Sequence, residues 1–233
     1  MFDLRSIVIG IVLMLKKYTC VNITIYEESS DEDYSNGIFG LPLIGFAIGF
    51  VALLLSSLRV FYDGLFVSVV ILTYYNIITK TVNMKDTYRT LNYYLKPTNQ
   101  TEQLSGVIGI TLINLMYFSL FTIVPSTALL VMPVAGFSSL IILSSIIKRN
   151  KEGTSIMKYC GKYHFIAAFA ISFLIASIFN YKIVISLSLT YILLAIVVNI
   201  LDEKIRLFPS SIEGFIIEIS QIIFLMITYL MKL

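Results

Sequence analysis

Apolar residues along this chain come in runs near twenty residues long, separated by short polar joints or by longer polar loops. A helix rising about 1.5 Å per residue needs about twenty of them to cross roughly 30 Å of hydrocarbon. Seven runs meet that need: Gly37–Leu58, Val60–Thr79, Gly106–Val124, Thr127–Ile147, His164–Phe179, Ile183–Leu201 and Ile212–Met231. The first two are separated by Arg59 alone, the third and fourth by Pro125-Ser126, and the fifth and sixth by Asn180-Tyr181-Lys182. Joints this short force antiparallel hairpins. The expectation is an all-α, polytopic helical membrane protein of about seven transmembrane helices.

Before the first span, Ser6–Leu15 is an apolar run of ten residues closed by Lys16-Lys17. It is too short to span and lacks a small-residue cleavage site, so it reads as an interfacial or half-inserted helix. Glu27, Glu28, Asp31, Glu32 and Asp33 follow, and read as a solvated loop. Residues 1–233 thus form one integral membrane domain, with 1–36 as a cytoplasmic or interfacial segment and 37–233 as the bundle.

Seven spans put the three long loops, Lys80–Ser105, Lys148–Tyr163 and Asp202–Ser211, on one side together with the N-terminal segment. That side holds fourteen of the seventeen Lys and Arg, leaving Arg59, Lys182 and Lys232 for the other. By the positive-inside rule the long loops and the N-terminus are cytoplasmic and the location is a cell membrane.

Composition agrees. The chain is 58% hydrophobic and 13% charged, about half the charge of a soluble domain, so soluble, secreted and disordered readings fall. Two distant cysteines, Cys20 and Cys160, make neither a disulfide framework nor a paired metal motif. A net charge of +3 does not point to nucleic acid, and the bilayer is the expected partner.

Two segments could carry chemistry. In Lys80–Leu104 the acids are Asp86 and Glu102, with Lys85, Arg89 and Lys96 nearby. Carboxylates amid bases beside a bilayer suit an anionic substrate, since Mg²⁺ is usually held by one or two carboxylates plus phosphate oxygens. The plainer reading is a helical Asp86 paired with Arg89 at i,i+3. In the last span, GFIIEISQ places Glu218 about six residues, roughly 9 Å, inside the helix, where a carboxylate faces the bundle interior or a watery cavity. Asp63 lies near an outer helix end, within reach of water. His164, four residues after Cys160, reads as an interfacial polar residue, because a metal site there would need further ligands.

At these positions the chain resembles the cobalamin synthase family, the adenosylcobinamide-GDP ribazoletransferases. LPLIG, Leu41 to Gly45, is similar to the family's F-P-L-[VI]-G opening of the first span. TVNMKDTYRTL, Thr81 to Leu91, falls in the frame of the family's L-D-G-x-A-D-T-x-D-G-L and keeps Asp86, Thr87 and Leu91. The family's M-K-D-x-R-x-G-x-x-G maps onto Gln100 to Gly109, with Glu102 at the acid position and Gly106 and Gly109 in place. SSIEGFIIEISQ, Ser210 to Gln221, resembles G-D-x-x-G-A-x-x-E-I-S-E and keeps Gly214, Glu218, Ile219 and Ser220. The departures are Val82 and Arg89 at two acid positions of the aspartate-rich stretch, Leu104 at a basic position, and Ser211 at the Asp before the last span.

The resemblance implies a Mg²⁺-dependent membrane transferase. It would join α-ribazole or its 5′-phosphate to adenosylcobinamide-GDP, release GMP, and give adenosylcobalamin or its phosphate. Asp86 and Glu102 would hold the metal. Asp86 and Glu218 would be catalytic, the latter as a supporting group or as the base that activates the hydroxyl. Gly106, Gly109, Gly214 and Ser220 would line the substrate, and Lys85, Arg89 and Lys96 are added here as cationic help. The missing acids leave open a homologue that binds cobamide precursors without turnover. A small transporter is a further reading, but the polar groups concentrate in loops rather than at the midplane where transporters place their sites.

Overall fold

The computed structural model describes residues 4–26, 28–95, 104–147, 155–204, 209 and 211–232, with 201–204 as helical backbone. Over these residues the regular structure is all helical, with no strand. In order it forms α1 (Leu4–Tyr18), α2 (Asp31–Ile38), α3 (Leu41–Ser56), α4 (Gly64–Ile78), α5 (Val82–Tyr94), α6 (Leu104–Ile123), α7 (Ser126–Ser144), α8 (Lys162–Phe179), α9 (Tyr181–Lys204) and α10 (Ile212–Leu230). Single 3₁₀ turns cover Ser57–Val60 and Ile156–Tyr159.

Among the described residues six helices are long and apolar enough to cross a membrane: α3 with its 3₁₀ extension, α6, α7, α8, α9 and α10. The expected span Val60–Thr79 is shorter than its apolar run. Phe61 and Tyr62 form a turn, and Asp63 caps α4 by accepting from Phe66 N at 2.9 Å. The remaining 15 residues of α4 cover about 22 Å, so α4 reaches spanning length only jointly with α5, from which it is bent by 83°.

That bend is made by Lys80 and Thr81, whose φ angles of 50° and 52° lie in the left-handed region. Non-glycine residues there cost about 1–2 kcal/mol each. The chain accepts this at a corner that turns polar α5 across the end of the bundle. Lys80–Ser105, expected as a loop, therefore contains a 13-residue helix. Asn83, Met84, Thr87 and Thr90 form its buried face, and Lys85 and Arg89 are exposed.

The acidic segment is also not a simple solvated loop. Ser30 and Asp33 form a reciprocal capping box that starts α2. Asp33 turns inward and accepts from Ser6 Oγ at 2.6 Å. The Ser6 and Ser30 hydrogen bonds hold its carboxyl below the usual carboxylate range. Helix α1 buries Ser6, Gly10, Met14 and Tyr18, one residue per turn, and crosses α2 with Gly10 against Gly37 so closely that a Cβ on either would strike the other's backbone.

The core is built around α7, buried at every residue from Ala128 to Ser144. Helix α3 packs on it through Gly45 and Gly49, whose missing Cβ atoms admit the backbone at Pro133 and Leu130. Small residues at such contacts let membrane helices approach closely. Beyond the C-terminal end of α3, Arg59 donates to the carbonyls of Phe121 and Val124 and closes the end of α6. Lys182 Nζ donates to Lys232 O at 3.3 Å.

Candidate functional site

The opposite end of the bundle brings together chain segments that are remote in sequence. Helix α10 begins there, and its first-turn acid Glu213 is 2% exposed. Two neutral donors from one short segment reach Glu213 Oε1: Ser155 Oγ at 2.6 Å and Ile156 N at 2.6 Å. Two donors from the end of α1 reach Oε2: Lys17 Nζ at 2.7 Å and Tyr18 Oη at 3.1 Å. Burial and the Glu213 carboxylate push the Tyr18 phenol well up, so it serves as a donor. A carboxylate at a helix N-terminus also complements the helix dipole. Glu213 is thus a buried anion with its acceptor capacity filled.

Beside it lies α5. Gly214 is the close-approach point, since a Cβ there would sit 2.6 Å from Asp86 Cβ and 2.8 Å from Asn83 Cα. One turn further along α5, Thr90 Oγ1 and Ser211 Oγ are 2.9 Å apart. Asp86 is half-buried and, among the described residues, makes no hydrogen bond or ion pair; the expected Asp86–Arg89 pair is not formed. Burial, and next the Glu213 charge, push its carboxyl up to about 6, against the opposing pull of Arg89, Lys17 and Lys85. An acid left free between an ion pair and two exposed cations can bind a cation, or take a proton near neutral pH.

Deeper in the bundle sits Glu218, five residues along α10, so about 7.5 Å further in and about 140° around the helix. It is fully buried and accepts from Tyr75 Oη at 3.0 Å and Tyr117 Oη at 2.6 Å. The same two hydroxyls lie 2.7 and 2.9 Å from Gln221 Oε1, while Gln221 Nε2 has no partner. Two phenolic protons cannot serve four acceptor contacts. Turning the Gln221 amide over, an assignment that hydrogen-bond counting must make, resolves this: its NH₂ donates to both phenols, and each phenol donates to one oxygen of Glu218. A closed ring then ties α4, α6 and α10 together.

The sequence-derived candidates separate accordingly. Asp86 and Gly214 meet at the end of the bundle where α10 begins, and Lys85 and Arg89 on the same helix as Asp86 are exposed. Glu218 is held inside the bundle rather than at that surface. Gly106 and Gly109 face α5, where a Cβ would meet Tyr88 and Asn92 or Leu91, and Asn92 Oδ1 accepts from Gly106 N at 2.8 Å. Ser220 is buried and donates to Ile216 O within its own helix. Lys96 and Glu102 lie outside the described residues. His164 is anchored by Gly161 N and Ser35 O. Among the described residues no group of three His, Cys, Asp or Glu side chains is placed to hold a metal ion.

Sequence reasoning missed Glu213, Lys17, Tyr18 and Ser155. The available signal was the acid in SSIEG, two residues beyond the position where Ser211 replaces the family's aspartate. Nothing local to residue 17 or 155 announces their meeting.

Over 237 aligned residues the chain is 24% identical to a protein named adenosylcobinamide-GDP ribazoletransferase from Alkaliphilus oremlandii (strain OhILAs). The alignment covers 96% of this chain and 98% of that one. No protein-family model matches the chain, and no solved structure matches it. The chain is therefore similar, from end to end and at low identity, to a protein named as a ribazoletransferase.

Proposed function

We propose that this chain is a multi-pass cell-membrane transferase with its long loops and N-terminus in the cytoplasm. It joins α-ribazole, or its 5′-phosphate, to adenosylcobinamide-GDP and releases GMP. The observation that carries this reading is the contact between Asp86 and Gly214. Two motifs that resemble the family's, far apart in sequence, meet at one end of the bundle with cations around them.

In the reaction the ribose hydroxyl oxygen bonds to the phosphorus on the cobinamide side. The bridging P–O bond breaks, GMP leaves with the bond electrons, and the hydroxyl proton passes to a base. Positioning and charge stabilisation do most of this work. Mg²⁺ would be held by Asp86 and Glu102 together with diphosphate oxygens, the usual arrangement of one or two carboxylates plus phosphate, and would neutralise charge on the diphosphate. Asp86 fits this because its carboxylate has no hydrogen-bond or ion-pair partner among the described residues. Glu213 does not, because its oxygens are already filled. Lys85, Arg89 and Lys96 supply further positive charge. Glu218 acts at a distance, by holding α10 through Tyr75 and Tyr117, and Gly106, Gly109 and Ser220 set helix packing around the site.

The test is GMP release from adenosylcobinamide-GDP by liposome-reconstituted protein with α-ribazole and Mg²⁺. Turnover that is lost with EDTA and in Asp86→Ala supports the transferase. Folded protein that binds the substrate without releasing GMP favours the non-catalytic homologue, the reading that Val82, Arg89 and Ser211 motivate.

A further inference from the structure

Lys17 lies outside every motif that suggested the transferase, yet its ammonium pairs with Glu213, the neighbour in sequence of the Gly214 that packs against Asp86. It approaches Glu213 at 2.7 Å and is 30% exposed, while its partner is 2% exposed. Three other donors, Tyr18, Ser155 and Ile156 N, already spread the Glu213 charge. An ammonium has three protons, and among the described residues the hydrogen bond to Glu213 accounts for one. The neighbouring ring of Tyr18 lies 5.2 Å from Nζ and covers one side of it.

The helix that delivers Lys17 is firmly seated. The Gly10–Gly37 contact, the Ser6–Asp33 hydrogen bond and the Asn36–Ser6 hydrogen bond at 2.9 Å fix α1 on α2. Cys20 N donates to Ile78 O at 2.6 Å and joins the end of α1 to the end of α4, just before the corner that aims α5. Lys16, one residue earlier, is exposed and sits about 100° around the helix from Lys17.

We infer that Lys17 is a substrate-contacting cation of this site, held by Glu213 so that its free protons meet a diphosphate anion bound beside Asp86. Glu213 is then the positioning residue, and the ion pair is a built-in arm rather than a metal ligand set. This rests on the transferase reading for the identity of the diphosphate, but not for the anion contact itself. Charge-assisted hydrogen bonds to phosphate are among the stronger protein contacts, and a lysine at such a place acts as a point charge.

The experiment uses inorganic pyrophosphate with Mg²⁺ as probe, titrated by calorimetry into the full chain in nanodiscs. Lys17→Met is expected to weaken binding about tenfold or more, Lys17→Arg to keep most of it, and Lys16→Met to leave it unchanged. GMP release is followed on the same samples. Because Lys17→Met strands the Glu213 charge, the paired variant Lys17→Gln with Glu213→Gln serves if the single one does not fold, and the same loss is expected. Pyrophosphate binding that survives in the Lys17 variants, falls equally in Lys16→Met, or is absent from the folded wild-type chain overturns the inference. Wild-type binding without GMP release, with the Lys17 effect intact, removes the transferase reading and leaves the anion contact standing.

Discussion

Glu213 and Glu218 sit on one helix and are both buried, yet their surroundings have little in common. Glu213 is served by a lysine, a phenol, a serine and a backbone amide that belong to two segments remote from α10. Glu218 is served by two phenols from membrane-side helices, with no ion pair among the described residues. The first arrangement gathers the end of α1 and the Ser155–Ile156 segment at the start of α10, with Lys17 30% exposed. The second closes a ring within the bundle. A buried carboxylate in a membrane protein is thus not by itself a sign of chemistry; what decides its role is whether its neighbours leave anything free to meet a substrate.

The largest expected effect comes from breaking the first arrangement. Glu213→Leu removes the carboxylate, strands a part-buried lysine and orphans three donors, so stability should fall by about 3–5 kcal/mol. Denaturant unfolding in mixed micelles measures it; a loss under about 1 kcal/mol would mean that α1 is held by packing alone.

Glu218→Gln should cost less, about 1–2 kcal/mol, because buried hydrogen bonds in membranes are individually modest. Its kcat should stay within about tenfold of wild type, a small effect for a general base. A loss of a thousandfold at unchanged stability would return Glu218 to a chemical role.

Asp86 sharpens the contrast through pH. Its folded value of about 6 lies above that of the free carboxylate, so the fold holds this proton more tightly than the unfolded chain does. Its contribution to stability is full below about pH 4 and is lost as pH rises through about 6. Asp86→Asn should therefore stabilise the protein by about 1 kcal/mol above pH 6, discounted for its partial exposure, and by nothing near pH 4, while GMP release disappears. Thermal melts across pH check this, and a variant that is destabilised at pH 7 would contradict the assigned environment.

The smallest effect concerns the hydroxyl pair beside the site. Thr90→Val should cost about 0.5–1.5 kcal/mol. Ser211→Asp, which returns an acid to the start of α10, should raise GMP release in proportion to Mg²⁺ concentration if a lost ligand limits the rate.

Much of the fold was legible because crossing a bilayer imposes a length and a composition that hydropathy reports directly. Six of the seven runs became candidate spans, and Arg59 and Lys182 close helix ends away from the site. Helix α5 was not legible because its apolar positions are few: Met84 is the one apolar residue among its buried positions, beside Asn83, Thr87 and Thr90, a pattern that a loop also shows. Asp86 and Gly214 were legible as motif residues, but their contact was not. Glu213 escaped because its meaning depends on Lys17 and Ser155, which no sequence spacing connects to it.

Helix α7 carries a consequence for how the protein is made. In the finished bundle its sides are covered by other helices, so its surface meets hardly any lipid. During synthesis from the N-terminus, however, α8, α9 and α10 do not yet exist when α7 emerges. It must enter the bilayer as a lipid-exposed segment and be wrapped later. Its apolar sequence serves that first passage, while Gly136 waits for the Gln221 side chain of α10, which arrives last. Truncating the chain before α10 should leave α7 inserted but unsheltered, a natural substrate for membrane quality control.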